Sequence, residues 1–375
     1  MATSACNSES RHGGGHGRAG LLRCWSGTSA WRCSGRVCSA VSIRHAIAWT
    51  VRSSRSSSGG RSVQTGFIEF AREVMSLKKC RGHPSIVEFR NTHADKRDSD
   101  GDTFIVMEYA GRMNLRVYMV SRGLHGLPFR EAEVRGIMRQ LLAGAERSHQ
   151  AGILHRDIKP KNVVVDDGTA YMIRNTAYVN DGKKKKLQPT TEEITCKICD
   201  FGMSEPMTQK KREYSPLATS DPYRAPELFL GSTDYDGRID TWGLGCIMAE
   251  LLFGTGGAFF EGKTEGDVLT NMLEVVGAKG IKDWLGPYQP GSPHWGAEKR
   301  VHGCPEIGRL REVFPEKVLS QAGFEVLSGL LSSSPRDRLT AAEALQKPWF
   351  TDEGMEKRRR GGRLRRGSGA CFCHV

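Results

Sequence analysis

The chain has 375 residues, of which 38% are apolar and 26% charged, enough for a large two-lobed domain with some remainder. No apolar run nears the roughly 18 residues that a membrane-crossing helix needs, so no membrane partner is expected. The net charge of +13 sits at the ends, with nine Arg against one acid (Glu9) in 1–66 and seven basic against three acidic residues in 351–375, so a nucleic-acid partner is not expected either.

Residues 1–66 are rich in Ser, Arg, Gly and Cys, hold three of the seven Trp and no Lys, and show no sustained period. At Phe67 the texture changes: Phe67, Phe70, Val74 and Leu77 recur at helical spacing, which predicts an amphipathic helix over 67–80. Strands are predicted at 86–89 and 103–107. Val134, Ile137, Met138, Leu141, Leu142 and Ala145 form a helical apolar face running towards His149. Short strand-like runs at 163–165 and 196–199 flank a polar stretch, 168–193, which contains Lys183 to Lys186 and reads as an inserted, exposed loop. Beyond Pro226 helices are predicted at 240–253, 265–276 and 323–332. Pro348, Trp349 and Phe350 close the last compact element, and 351–375 is a basic, Gly-rich tail of disordered composition.

Eleven Cys without a secretory signal point to reduced thiols and a cytoplasmic or nuclear setting. Cys196 and Cys199 form a CxxC, but three residues apart on a strand they face opposite sides, which disfavours a shared metal. Cys371 and Cys373 do not fit a prenylation box, and Lys357 to Arg360 has the composition of a nuclear import signal.

The chemistry is concentrated in the run from His155 to Asn162, His-Arg-Asp-Ile-Lys-Pro-Lys-Asn, followed by Asp200-Phe201-Gly202 and Ala225-Pro226-Glu227. Phosphoryl transfer needs a carboxylate near the acceptor hydroxyl, a cation on the phosphates and oxygen ligands for metal. Asp157 suits the first role and Lys159 the second, while Asn162 and Asp200 supply a neutral and a charged oxygen for Mg²⁺. In this order the three motifs are highly specific, and the chain resembles the eukaryotic Ser/Thr protein kinases over 67–350.

The resemblance implies an α+β, bilobal fold with an incomplete or atypical N-terminal lobe (67–109) and a mainly α-helical C-terminal lobe (110–350). It implies ATP and Mg²⁺ as cofactors and a protein as substrate. Glu73 takes the place of the family's helix-C glutamate, and Leu77, His155 and Phe201 that of its hydrophobic spine, anchored by Asp240. Met107 would stand beside the adenine, with the backbone of Glu108 and Ala110 bonding to it. Glu227 would pair with Arg338. Within the kinases the chain looks like the cyclin-dependent kinase branch, through Tyr223 to Glu227 and Phe259 to Glu265, and its wording from Cys80 to Val87 is similar to plant cyclin-dependent kinases of class F. Its helix-C segment, Phe70-Ala71-Arg72-Glu73, is not the cyclin-binding sequence, so a regulatory protein is expected without support for a cyclin. Ser215 occupies the activating phosphosite, where a phosphate would pair with Arg156, and Ser220 supplies the hydroxyl near Asp157 and Lys159.

The N-terminal lobe departs from the family. Gly15 to Gly20 matches GxGxxG but lies too far from Glu73, and no Lys precedes Lys78. Arg52 has plausible spacing for the missing lysine, yet a forked guanidinium does not place a point charge on phosphates in the same way. Three readings of 1–66 stay open: a degenerate lobe that makes a pseudokinase or a weakly active binding module, an organellar targeting segment, or a stretch outside the natural reading frame.

Overall fold

The computed structural model describes residues 28–33, 36–43, 46–51, 63–94, 103–124, 126–167, 194–207, 214–215, 219, 221–285 and 295–351. The Gly15–Gly20 match, Arg52, the 168–193 insertion, Ser220 and the Lys357–Arg360 run lie outside them.

The segment read as lacking a period carries three strands, β1 (Thr28–Cys33), β2 (Arg36–Ile43) and β3 (Ala46–Val51). With β4 (Phe89–Ala94) and β5 (Thr103–Glu108) they form one antiparallel sheet in the order β1-β2-β3-β5-β4. Its signal is the alternation Ile47, Trp49, Val51 against Ala46, Ala48, Thr50 in β3, a two-residue period too short to stand out among Ser, Arg and Gly. The register sets Ile47 opposite Met107 and Trp49 opposite Ile105, and both partners in β5 are buried.

Helix α1 (Val63–Lys79) joins this sheet to the rest. Val74 and Leu77 are buried on one side of it, and Lys78 and Lys79 fall in its last turn, where cations suit the helix dipole. The strand expected at 86–89 begins instead at Phe89. Ile86 and Val87 are taken by another partner, since the Val87 amide donates to the Ile198 carbonyl (3.0 Å) and the Ile198 amide to that of Ser85 (2.8 Å).

Below the sheet the chain is mainly helical. The pair β6 (Met113–Asn114) leads into α2 (Leu115–Leu124), and α3 (Glu131–Gln150) buries the six apolar residues that its period singles out. Glu133 caps α3 by accepting from the Arg130 amide (2.9 Å). The helix Arg238–Phe253 is buried all round from Ile239 to Leu251 and packs between α3 and the helix Gln321–Leu330. A helix buried on every side is the centre of a core, and each fully buried Leu or Ile there contributes about 1.5–3 kcal/mol. Among the described residues no helix is long and apolar enough to cross a membrane.

Candidate active site

Strands β7 (Ile153–Leu154), β8 (Val163–Asp166), β9 (Thr195–Ile198) and β10 (Glu205–Pro206) hold the loops that carry the chemistry. In the β8–β9 hairpin Val163 stands opposite Ile198 and Asp166 opposite Thr195, so the 168–193 insertion leaves and re-enters at the far end of the pair. One step beyond the near end the Cys199 amide donates to the Asn162 carbonyl (2.9 Å). That bond sets Asn162 beside the residue preceding Asp200, whatever the length of the insertion.

Asp157, Lys159 and Asn162 are all buried and form one cluster. Lys159 Nζ donates to both carboxylate oxygens of Asp157 (3.0 and 2.7 Å), and Asn162 Nδ2 to the Asp157 carbonyl and to Oδ2, each at 2.9 Å. Asn162 Oδ1 is a buried acceptor with no hydrogen-bond partner. An orphaned acceptor of this kind costs about 1–3 kcal/mol unless something electropositive completes it. With the Asp200 carboxylate carried one residue beyond the Cys199–Asn162 bond, the oxygen donor types fit a hard cation such as Mg²⁺.

Arg156 (φ 65°) and Asp200 (φ 64°) are the non-glycine residues with left-handed backbone among those described, and both flank this cluster. Strain placed at two such points in one site is characteristic of geometry set by chemistry, since each costs about 1–3 kcal/mol. Phe201 is fully buried, with its ring centroid 4.6 Å from that of His155, and Leu77 of α1 is buried with them. The Asp157 amide donates to His155 Nδ1 (3.2 Å), so the ring proton lies on Nε2, which donates to the Cys199 carbonyl (3.0 Å).

Asp240 anchors this loop from the core helix. Its Oδ2 accepts from the His155 amide (2.9 Å) and faces His149 Nε2 (2.8 Å), and its Oδ1 accepts from the Arg156 amide (2.8 Å). Burial pushes the carboxyl up, but the hydrogen bond and charge of His149 and the His155 amide outweigh it and hold the pKa below the usual aspartate range. A depressed folded-state pKa gives stability that is present above the unfolded value, roughly pH 4, and lost as pH falls through the folded value. Urea titrations of wild type and Asp240→Asn are therefore expected to differ most at pH 6 and to converge towards pH 3. A gap that stays constant with pH contradicts this.

At the hinge, Met107 and Ala110 are buried and Glu108 half-buried. Gly111 passes so close to β8 that a Cβ there would sit 2.2 Å from the Val165 carbonyl oxygen, which reserves the position for glycine. The Glu108 side chain, unassigned by the sequence, pairs with Lys197 of β9 at 2.5 Å and accepts from the Glu88 amide at 3.0 Å. Glu73 lies near Gly202, its Oε2 3.7 Å from where a Cβ would stand. Strand β3, beside the hinge strand, reads Ala-Ile-Ala-Trp-Thr-Val and contains no cation. Glu227 and Arg338 form a buried bidentate pair with both contacts at 2.7 Å. The Ser215 carbonyl accepts from the Tyr235 hydroxyl (2.8 Å). Cys196 and Cys199 are buried and form no disulfide, and burial pushes the Cys196 thiol up to about 12, which suits packing better than metal ligation.

Sequence reasoning missed Ser76, Ser204 and Glu205. Ser76 Oγ lies 2.7 Å from Ser204 Oγ, and Glu205 Oε2 lies 3.2 Å from a guanidinium nitrogen of both Arg72 and Arg156. No local pattern marks these contacts, because the partners are more than a hundred residues apart or belong to different loops.

The model of the protein kinase domain matches residues 33–350. "Putative cyclin-dependent kinase F-2" of Oryza sativa subsp. japonica is 42% identical over 287 residues, 76% of this chain and 77% of that protein. "Cyclin-dependent kinase G1" of Arabidopsis thaliana is 32% identical over 76% of this chain but only 42% of its own length, and "Serine/threonine-protein kinase ppk23" of Schizosaccharomyces pombe is 31% identical over 76% and 62%. The match begins upstream of Phe67 and takes in most of the three N-terminal strands. The chain belongs to the protein kinase family, on its Ser/Thr, cyclin-dependent-kinase-like branch.

Proposed function

We propose that this chain transfers the γ-phosphate of ATP to a Ser or Thr hydroxyl of a protein substrate. The observation that carries the reading is the orphaned Oδ1 of Asn162 in the Asp157–Lys159–Asn162 cluster, with Asp200 one residue beyond the Cys199–Asn162 bond. Asp157 would orient the acceptor hydroxyl and take its proton, and Lys159 Nζ, already within 3.0 Å of Asp157, would meet the charge on the phosphoryl group. Asn162 Oδ1 and the carboxylate of Asp200, the residue after Cys199, would hold Mg²⁺, which when bound neutralises phosphate charge. The backbone of Glu108 and Ala110 would hold adenine beside Met107.

A second reading, a nucleotide-binding module with little or no turnover, is favoured by one observation. Strand β3 offers no lysine to the phosphates or to Glu73. Losing one preorganised charge contact lowers rate by about 10²–10³.

The test measures binding of a fluorescent ATP analogue with and without Mg²⁺, together with incorporation of labelled γ-phosphate into protein. Transfer predicts Mg²⁺-dependent binding and phosphoserine or phosphothreonine product, both lost in Asp200→Asn. Binding without product selects the second reading, and no binding at all defeats both.

A further inference from the structure

Helix α1 is fastened to the segment after Asp200-Phe201-Gly202 by two adjacent polar contacts. Arg72 and Ser76, one turn apart on the same face of the helix, meet the consecutive residues Glu205 and Ser204. Ser204 is fixed in turn by its amide, which donates to the Phe201 carbonyl (3.0 Å). Glu205 is fixed by its backbone, since β10 pairs with β7 and sets Glu205 opposite Leu154, two residues before Arg156.

The Glu205 side chain is 6% exposed, and its Oε2 stands 3.2 Å from Arg72 Nη2 and 3.2 Å from Arg156 Nη2. Arg156 is buried and its Nε is spent on the Met203 carbonyl (2.7 Å). Two guanidinium groups converging on one buried point repel each other unless an anion lies between them. Here that anion is part of the chain. The contact joins α1, which carries Glu73 towards Gly202, to the loop that carries Asp157.

We propose that Glu205 is a positioning residue whose carboxylate clamps α1 to the catalytic loop, so that the site assembles in the chain without phosphate on Ser215. The clamp does the work that a phosphate on the activation segment would do by pairing with Arg156. It also engages the cation such a phosphate would need, and a phosphate at Ser215 would have to displace Glu205. The proposal rests on the kinase reading of the site, but the clamp itself is a structural contact and can be measured without turnover.

The full chain is prepared free of phosphate, verified by intact mass, and compared with Glu205→Gln, Arg72→Gln and the double variant by amide hydrogen exchange and by transfer kinetics. Exchange over 68–79 is expected to rise about tenfold in each single variant and no further in the double, because both remove the same charge-assisted contact. The phosphate-free wild type is expected to turn over, with kcat about tenfold lower in each single variant and exchange in the core helix 238–253 unaltered. Arg72 is partly exposed, so Arg72→Gln keeps the test valid where Glu205→Gln unfolds. Unchanged exchange over 68–79 in Arg72→Gln overturns the proposal, as does a phosphate-free wild type that is inactive until Ser215 is phosphorylated. Absence of turnover in wild type whether or not Ser215 is phosphorylated, with the exchange response intact, defeats the kinase reading and leaves the clamp standing.

Discussion

Asp157→Asn is expected to lower the rate of phosphate transfer by about 10²–10⁴, the usual range for removing a positioned proton acceptor. The replacement keeps the shape of the side chain and one oxygen able to accept from Lys159, so binding of Mg²⁺ and ATP through Asn162 and Asp200 should survive. Stability should fall by only about 1–2 kcal/mol, because a charge-assisted contact to Lys159 becomes a weaker one. Labelled-phosphate incorporation and urea unfolding, measured side by side, separate the two effects. A variant as active as wild type removes Asp157 from the chemistry, and one that is inactive because it is unfolded shows itself in the urea curve.

Glu227→Gln should have the largest effect on stability, a loss of about 3–5 kcal/mol in the urea midpoint analysis. The pair it breaks is sealed: Glu227 and Arg338 are each 1% exposed, and the Arg338 guanidinium also bonds to the Ser332 carbonyl (3.0 Å) and lies over the Trp242 ring, 5.0 Å from its centroid. Removing one charge leaves the other buried and uncompensated, which costs more than the pair contributes when both are present. The double variant Glu227→Met, Arg338→Leu is therefore expected to be more stable than Glu227→Gln alone. A double variant less stable than the single would show that the pair is net favourable here.

How much of this was legible beforehand depends on the kind of contact. The run from His155 to Asn162 and the Asp200 motif are set by spacing along the chain, and Asn162 bonds to Cys199, the residue before Asp200, just past the near end of the β8–β9 hairpin. The strand-like runs on either side of the 168–193 insertion pair as β8 and β9, and a hairpin fixes its own base regardless of the length of the loop between its strands. Helices α3 and Arg238–Phe253 were visible for a different reason, since the first keeps a 3.6-residue apolar period and the second carries an eight-residue run without a charge, Trp242–Ala249. The strands in 28–51 were not, because six to eight residues of alternation carry little signal in a segment dominated by Ser, Arg and Gly.

The sequence by itself determined the family, the motif residues on the His155–Asn162 loop, and the absence of a lysine ahead of Glu73. Only the tertiary structure decided what occupies the space around them. It set a strand with no cation beside the hinge, joined Lys197 to Glu108, and placed Glu205 between Arg72 and Arg156. The physical reason is that a period or a motif records what neighbours along one element need, whereas an ion pair between a helix and a short strand 133 residues further on depends on how the two surfaces dock. Arg72 and Glu205 look like ordinary charged residues until the chain folds and sets the partly exposed guanidinium against the buried carboxylate.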